Sequence, residues 1–215
     1  MASPLQVQRS LIDGDAGAIE LALQQPENVR AVGVVAHPHP LFGGTMDNKV
    51  VTTLARAFSD AGAATWRFNF RGIGKTEGQH DEGAGETQDM LKVIAHARAQ
   101  HPGLPLWLAG FSFGGAVTLA ASEQTAPNEM ILVAPSFQRL AQWRDGPAAA
   151  TIDVVAENTL LIHGEKDETV ALSDSFDWAR PRNVAVAVVP GADHFFHQRL
   201  GVIRQIVGRW LPAPS

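Results

Sequence analysis

The chain has 215 residues, 45% hydrophobic and 18% charged, with a formal net charge of −5, a balance that suits a single globular domain over 1–215 and excludes disorder. Lys and Arg are scattered rather than gathered into a basic stripe, which argues against a nucleic-acid partner. The absence of cysteine rules out disulfides, thiolate metal sites and a cysteine nucleophile.

The opening stretch, Met-Ala-Ser-Pro-Leu-Gln-Val-Gln, lacks the basic and apolar regions of a signal peptide, and no apolar run reaches the roughly 18 residues of a membrane span. A cytoplasmic protein without membrane contact is expected. Residues 5–12 and 18–24 alternate around Asp13-Gly14-Asp15-Ala16-Gly17 and predict an antiparallel hairpin. Strands are then predicted at 31–36, 63–69, 105–110, 129–134, 158–162 and 184–189. Helices are predicted near 48–61 (stripe Val50, Val51, Leu54, Phe58), 86–100 (Met90, Val93, Ile94, Ala97), from Gly114 to about 124, at 170–180 and at 195–210. This alternation predicts an α/β fold: an eight-stranded, mostly parallel sheet with helices on both faces.

Gly110-Phe111-Ser112-Phe113-Gly114 joins a predicted strand to a predicted helix. Such a G-x-S-x-G turn places a serine at the tip of a strand in a strained conformation, with glycines letting neighbouring backbone pass. The hydroxyl of Ser112 is a poor nucleophile until a base takes its proton. Among eight histidines, His194 follows the last strand, in a carboxyl-end loop where ligands gather in open α/β sheets; His197 is the nearest rival. His80, His96 and His101 lie in polar context and are expected to be solvated, while His163 is expected to shape the turn after its strand. The segment Gly164-Glu165-Lys166-Asp167-Glu168 offers the acid that must orient the base, and Asp167 is the candidate. The chain order Ser112, Asp167, His194 is that of one convergent form of the triad.

The chain resembles the α/β-hydrolase superfamily, and more narrowly a bacterial group of small lidless serine hydrolases near the dienelactone-hydrolase and carboxylesterase branches. His37-Pro38-His39-Pro40-Leu41-Phe42-Gly43-Gly44-Thr45-Met46-Asp47-Asn48-Lys49 carries that closer match, with Phe68-Asn69-Phe70-Arg71-Gly72-Ile73-Gly74, His163-Gly164-Glu165-Lys166-Asp167 and Gly191-Ala192-Asp193-His194-Phe195-Phe196-His197. The dienelactone hydrolases it resembles usually carry a cysteine nucleophile, so serine at 112 counts against that substrate. The resemblance implies an α/β-hydrolase fold and a serine esterase, with a small-molecule acyl substrate cleaved through an acyl-enzyme and no cofactor. It also implies an oxyanion hole of backbone N–H groups, one from Phe113 and one from His39 or Leu41, His39 being favoured by analogy. Thioester, amide, peptide and lactone hydrolysis use the same machinery and stay open. So does a non-enzymatic binding role, as does the choice between monomer and homodimer.

A metal reading of His37-x-His39, completed by Asp47 or His163, competes weakly with a rigid loop, so no metal is expected. Arg71 is expected in a structural ion pair rather than on a substrate carboxylate. Residues 135–157 leave no room for an independent lid, with Phe137, Leu140 and Trp143 as candidate wall residues.

Overall fold

The structure is a computed structural model describing residues 6–144 and 152–213. Eight strands form one sheet: β1 (Val7–Gly14), β2 (Gly17–Gln24), β3 (Ala31–Ala36), β4 (Ala63–Phe68), β5 (Leu106–Phe111), β6 (Glu129–Val133), β7 (Thr159–Gly164) and β8 (Ala185–Val189). Their spatial order is β1-β2-β4-β3-β5-β6-β7-β8, with β1 and β2 antiparallel, β2 antiparallel to β4, and the remainder parallel. The helices are α1 (Lys49–Asp60), α2 (Ala84–Gln100), α3 (Phe113–Thr125), α4 (Phe137–Trp143), α5 (Leu172–Ala179) and α6 (Leu200–Trp210).

β3, β4, β5 and β7 are buried along their whole length, as expected of parallel strands covered on both faces. On one face α1 and α6 pack on Val35, Ile131, Val133, Leu160 and Ile162. On the other, α2 and α3 cover Val34, Trp66, Phe68 and Leu108, and α3, α4 and α5 cover Leu132 and Leu161. The predicted stripes of α1 and α2 are the buried ones. Asn48 caps α1 by accepting the Val50 N–H at 2.9 Å.

β3 leads through α1 leftward to β4, whereas β4 leads through α2 back past β3 to β5. The chain therefore reverses its direction of winding between β3 and β5, and the carboxyl ends of strands at such a switch point are where open α/β sheets bind ligands.

Three local readings differ from expectation. The hairpin strands run to Gly14 and Gly17, which pair, leaving Asp15 and Ala16 as the turn; Gly17, at φ +113°, lets the second strand start there. Leu5, placed in the first predicted strand, lies outside the described residues. The stretch 135–157 contains an unpredicted short helix, α4, and its segment 145–151 lies outside the described residues. The last helix begins at Leu200, not 195, because Phe196 and Gln198 sit at φ +53° and +59° and break the helical run. Among the described residues, no helix is long and apolar enough to cross a membrane.

Phe58 on α1 is fully buried and meets Trp107 edge-on at 5.7 Å between ring centroids. Phe58→Ala should cost about 3–5 kcal/mol of stability, read as a lower urea midpoint at unchanged m-value.

Candidate active site

Ser112 links β5 to α3 at φ +56°, ψ −117°, a backbone state that costs a non-glycine residue roughly 1–3 kcal/mol. Neighbouring backbone leaves no room for side chains. A Cβ on Gly110 would meet the Gly114 carbonyl oxygen at 2.2 Å, and one on Gly114 would meet the carbonyl oxygens of His37 and Ala36 at 2.4 and 2.6 Å. Hydrogen bonds hold the turn: the Ser112 N–H donates to Val133 O at 2.9 Å, and the Ser136 N–H donates to Ser112 O at 3.0 Å.

The three residues singled out from sequence come together. His194 Nε2 lies 3.1 Å from Ser112 Oγ, and His194 Nδ1 lies 2.7 Å from Asp167 Oδ2. Two adjacent loops make this possible. The Glu165 N–H donates to Val189 O and the Lys166 N–H to Ala192 O, at 3.1 and 2.8 Å. A Cβ on Gly164 would strike the Ala192 and Asp193 carbonyl oxygens at 2.6 and 2.8 Å, so glycine is what permits the approach.

Asp167 is fully buried at its side chain. Burial pushes its pKa up, but hydrogen bonds from His163, His194 and the Val170 N–H outweigh that and hold it well below the usual carboxylate range. The Thr169 and Val170 N–H groups donate to Oδ1 at 2.9 and 2.8 Å. His197, the rival base, is 73% exposed at its side chain and pairs with Asp193 at 2.6 Å. Glu165 is exposed but accepts the Gly191 N–H at 2.7 Å, tying the two loops together; Glu168 is exposed.

On the other side of Ser112 lies the loop after β3. His39 Nδ1 accepts the Leu41 N–H at 3.3 Å, which occupies one of the two candidate oxyanion donors. The N–H groups of His39 and Phe113 make no hydrogen bond among the described residues. The His39 ring packs against Phe42, Phe113 and His80, with centroids 4.7, 4.8 and 4.9 Å apart. Burial, then the neighbouring His80 and Arg139, lower its pKa to about 4, so the ring is neutral near neutral pH. The loop is fixed from β4 and just beyond it: Arg67 donates to Met46 O at 2.6 Å and Asn69 Oδ1 accepts the Met46 N–H at 2.9 Å.

His37 is fully buried, and burial lowers its pKa to about 3. Its Nε2 accepts the Phe70 N–H at 3.0 Å, so its Nδ1 carries the proton and donates to Pro38 O at 2.6 Å. Both nitrogens are engaged: Nε2 ties the loop to β4's exit and Nδ1 is satisfied within the loop. Asp47 pairs with Arg9 and Arg67, and among the described residues no group of three or more His, Cys, Asp or Glu is arranged to hold a metal.

Arg71 grips Asp89 with Nε at 3.0 Å and Nη2 at 2.8 Å, a structural pair as expected. Two other expectations are corrected. His80 is not solvated: its side chain is 8% exposed and its Nδ1 lies 2.8 Å from the fully buried Glu86 carboxylate, which gathers the Asp81 and Gly83 N–H groups as well. Phe137 and Leu140 are core residues beside Trp178 rather than pocket walls; only Trp143 of that trio reaches the site's flank, 5.7 Å from Phe113. His163 does hold the turn after β7, its Nε2 3.0 Å from Val170 O, and it also lies 3.3 Å from Asp167 itself. Its position four residues before Asp167, at a strand end, was the signal available in the sequence.

Residues 41–156 match the family model described as serine aminopeptidase, S33. Over 98% of this chain and 100% of the other, the chain is 34% identical to an α/β serine hydrolase homologue from Coxiella burnetii, with a TM-score of 0.85. It is also 34% identical, with a TM-score of 0.88 and 99% of both chains covered, to a serine hydrolase without a lid from Xanthomonas campestris. An uncharacterised protein of Rickettsia prowazekii is 26% identical across 93% of this chain and 86% of its own length. Fold and neighbours define a lidless α/β serine hydrolase. Within that class the chain belongs to the serine aminopeptidase S33 family.

A pH dependence of stability follows from Asp167. Its folded-state pKa lies below the unfolded value of about 3.9, so its ionised form stabilises the fold at neutral pH. That contribution is lost as pH falls through the folded value. Wild type should exceed Asp167→Asn in thermal stability at about pH 7, and the gap should shrink toward about pH 3; melting temperatures of both at the two pH values test this.

Proposed function

We propose that the protein hydrolyses carboxylic esters through an acyl-enzyme. The observation that carries the reading is the unbroken chain from Ser112 Oγ through His194 to Asp167, at 3.1 and 2.7 Å, within hydrogen-bond reach at both links. Ser112 attacks the ester carbonyl while His194 Nε2 takes its proton. The tetrahedral intermediate places its oxygen toward the N–H groups of Phe113 and His39, each worth roughly 3–4 kcal/mol. Phe113 begins α3, so the helix dipole favours the same negative charge.

Collapse releases the alcohol, which leaves with the proton held by His194. Water, deprotonated by His194, then attacks the acyl-enzyme; the acid departs and Ser112 recovers its proton. Asp167 stays ionised throughout and holds the ring with Nδ1 protonated. The exposed apolar side chains about the site support a small, weakly polar ester as substrate: Leu41 and Phe42 beyond His39, and Phe195, whose ring lies 5.1 Å from that of His194.

Ser112→Ala should lower turnover of p-nitrophenyl acetate by several orders of magnitude and abolish labelling by a fluorophosphonate. Undiminished turnover in that variant would refute the mechanism. A panel of p-nitrophenyl esters, thioesters and aminoacyl anilides should give the highest kcat/KM with the esters. Preference for an anilide with a free α-amino group would replace the ester reading with aminopeptidase activity.

A further inference from the structure

His163 and Ser175 are both fully buried, and the steps above use neither. His163 sits at the end of β7 and Ser175 on α5. His163 Nε2 lies 3.0 Å from the Val170 carbonyl oxygen and 3.3 Å from Asp167 Oδ2, while its Nδ1 lies 2.8 Å from Ser175 Oγ. A carbonyl can only accept, so Nε2 carries the proton. Nδ1 of the neutral ring is then the acceptor for the Ser175 hydroxyl. The Nε2–H donates to Val170 O, and the same Nε2 lies 3.3 Å from Asp167 Oδ2, the carboxylate oxygen that receives His194 Nδ1.

We propose that His163 is a positioning residue: its Nε2–H, oriented by Ser175, fixes Asp167 Oδ2 for His194 and draws charge from the carboxylate. The proposal rests on the triad reading above. Asp167 accepts the Thr169 and Val170 N–H groups on Oδ1 and His194 on Oδ2, and His163 Nε2, 3.3 Å from Oδ2, brings the polar groups around it to four, as many as a carboxylate has acceptor sites. A carboxylate so saturated is a weaker base, and it stabilises the His194 imidazolium less than one held by His194 alone.

Other charged groups on the surrounding elements are occupied elsewhere or exposed. Glu165 binds the Gly191 N–H, Asp193 pairs with His197, Asp174 of α5 binds Gln138, and Lys166 and Glu168 are in the exposed turn. The shared contact at Oδ2 therefore sets His163 apart as the second imidazole on this carboxylate.

Three variants of the full chain test this: His163→Leu, which removes the donor; His163→Gln, whose amide restores one; and Ser175→Ala, which removes only the hydroxyl. The His194 ring titration, followed by NMR, needs no substrate. It should move upward by roughly half a pH unit or more in His163→Leu, less in Ser175→Ala, and little in His163→Gln. Turnover of p-nitrophenyl acetate by His163→Leu should fall roughly tenfold in kcat with KM little changed, its acid limb moving upward, and His163→Gln should recover most of it.

An unmoved His194 titration in His163→Leu overturns the proposal. So does a His163→Gln protein as impaired as His163→Leu, which would mark a packing role. Should His163→Leu fail to fold, an unmoved titration in Ser175→Ala overturns it equally. If wild type turns over no ester, the ester reading fails while the titration still decides the role of His163.

Discussion

A serine backbone in a disfavoured conformation at the tip of β5 is the constraint on which the site depends. Left to itself, Ser112 would relax from φ +56° and carry its hydroxyl away from His194. Relaxation is opposed from several directions. The helix α3 continues from the turn, the Ser112 N–H and C=O are both tied to the segment around the end of β6, and the backbone of Gly114 lies against the end of β3. The strain is thus carried by the packing of three parallel strands and a helix. Any loosening of that packing shows first in the aim of one oxygen atom.

The winding of the sheet explains why the remaining parts arrive where they do. Reversal between β3 and β5 leaves their following loops diverging at the switch point, with the His39 loop on one side and Ser112 on the other. β7 and β8, farther along the same edge, deliver Asp167 and His194 from adjacent loops laced by backbone hydrogen bonds. Distance along the chain is no obstacle, because every contributor sits at the carboxyl end of a strand in one parallel array. Side chains of α1 through α6 serve mainly to keep that array flat-packed on both faces.

This geometry also determines how much was legible in the sequence. Ser112, Asp167 and His194 could be found because each follows an apolar strand that announces itself by composition, and the strand ends fix their placement. The sheet could be counted for the same reason. What the pattern hid were contacts made inside loops. His80 looks solvated in Gly78-Gln79-His80-Asp81-Glu82-Gly83, yet its partner is Glu86, buried at the first turn of α2; local polarity says nothing of a carboxylate arriving from a helix start. Phe137 and Leu140 looked like pocket walls because a short amphipathic segment after a strand presents apolar residues whichever way it faces, and α4 turned them into the core. The start of α6 was misplaced because left-handed residues at Phe196 and Gln198 are not typical of those residue types. His37 and His39, adjacent in pattern, divide cleanly only in three dimensions. One is buried with both nitrogens used, and the other offers its ring to its own loop.

Burying the acid of such a site is costly unless its charge is met in full. Here Asp167 accepts two backbone N–H groups and the imidazole of His194, with the imidazole of His163 a further 3.3 Å contact. The backbone donors hold the carboxylate in place and do not change with pH. In the mechanism proposed above His194 exchanges its proton during turnover, so it cannot serve as the permanent partner of a buried charge. Under the proposal for His163, a second imidazole anchored by Val170 and Ser175 keeps a polar contact on the acid through every protonation state of His194. On that proposal the acid is stabilised independently of the base it would orient, which leaves the base free to move protons while the fold around it stays closed.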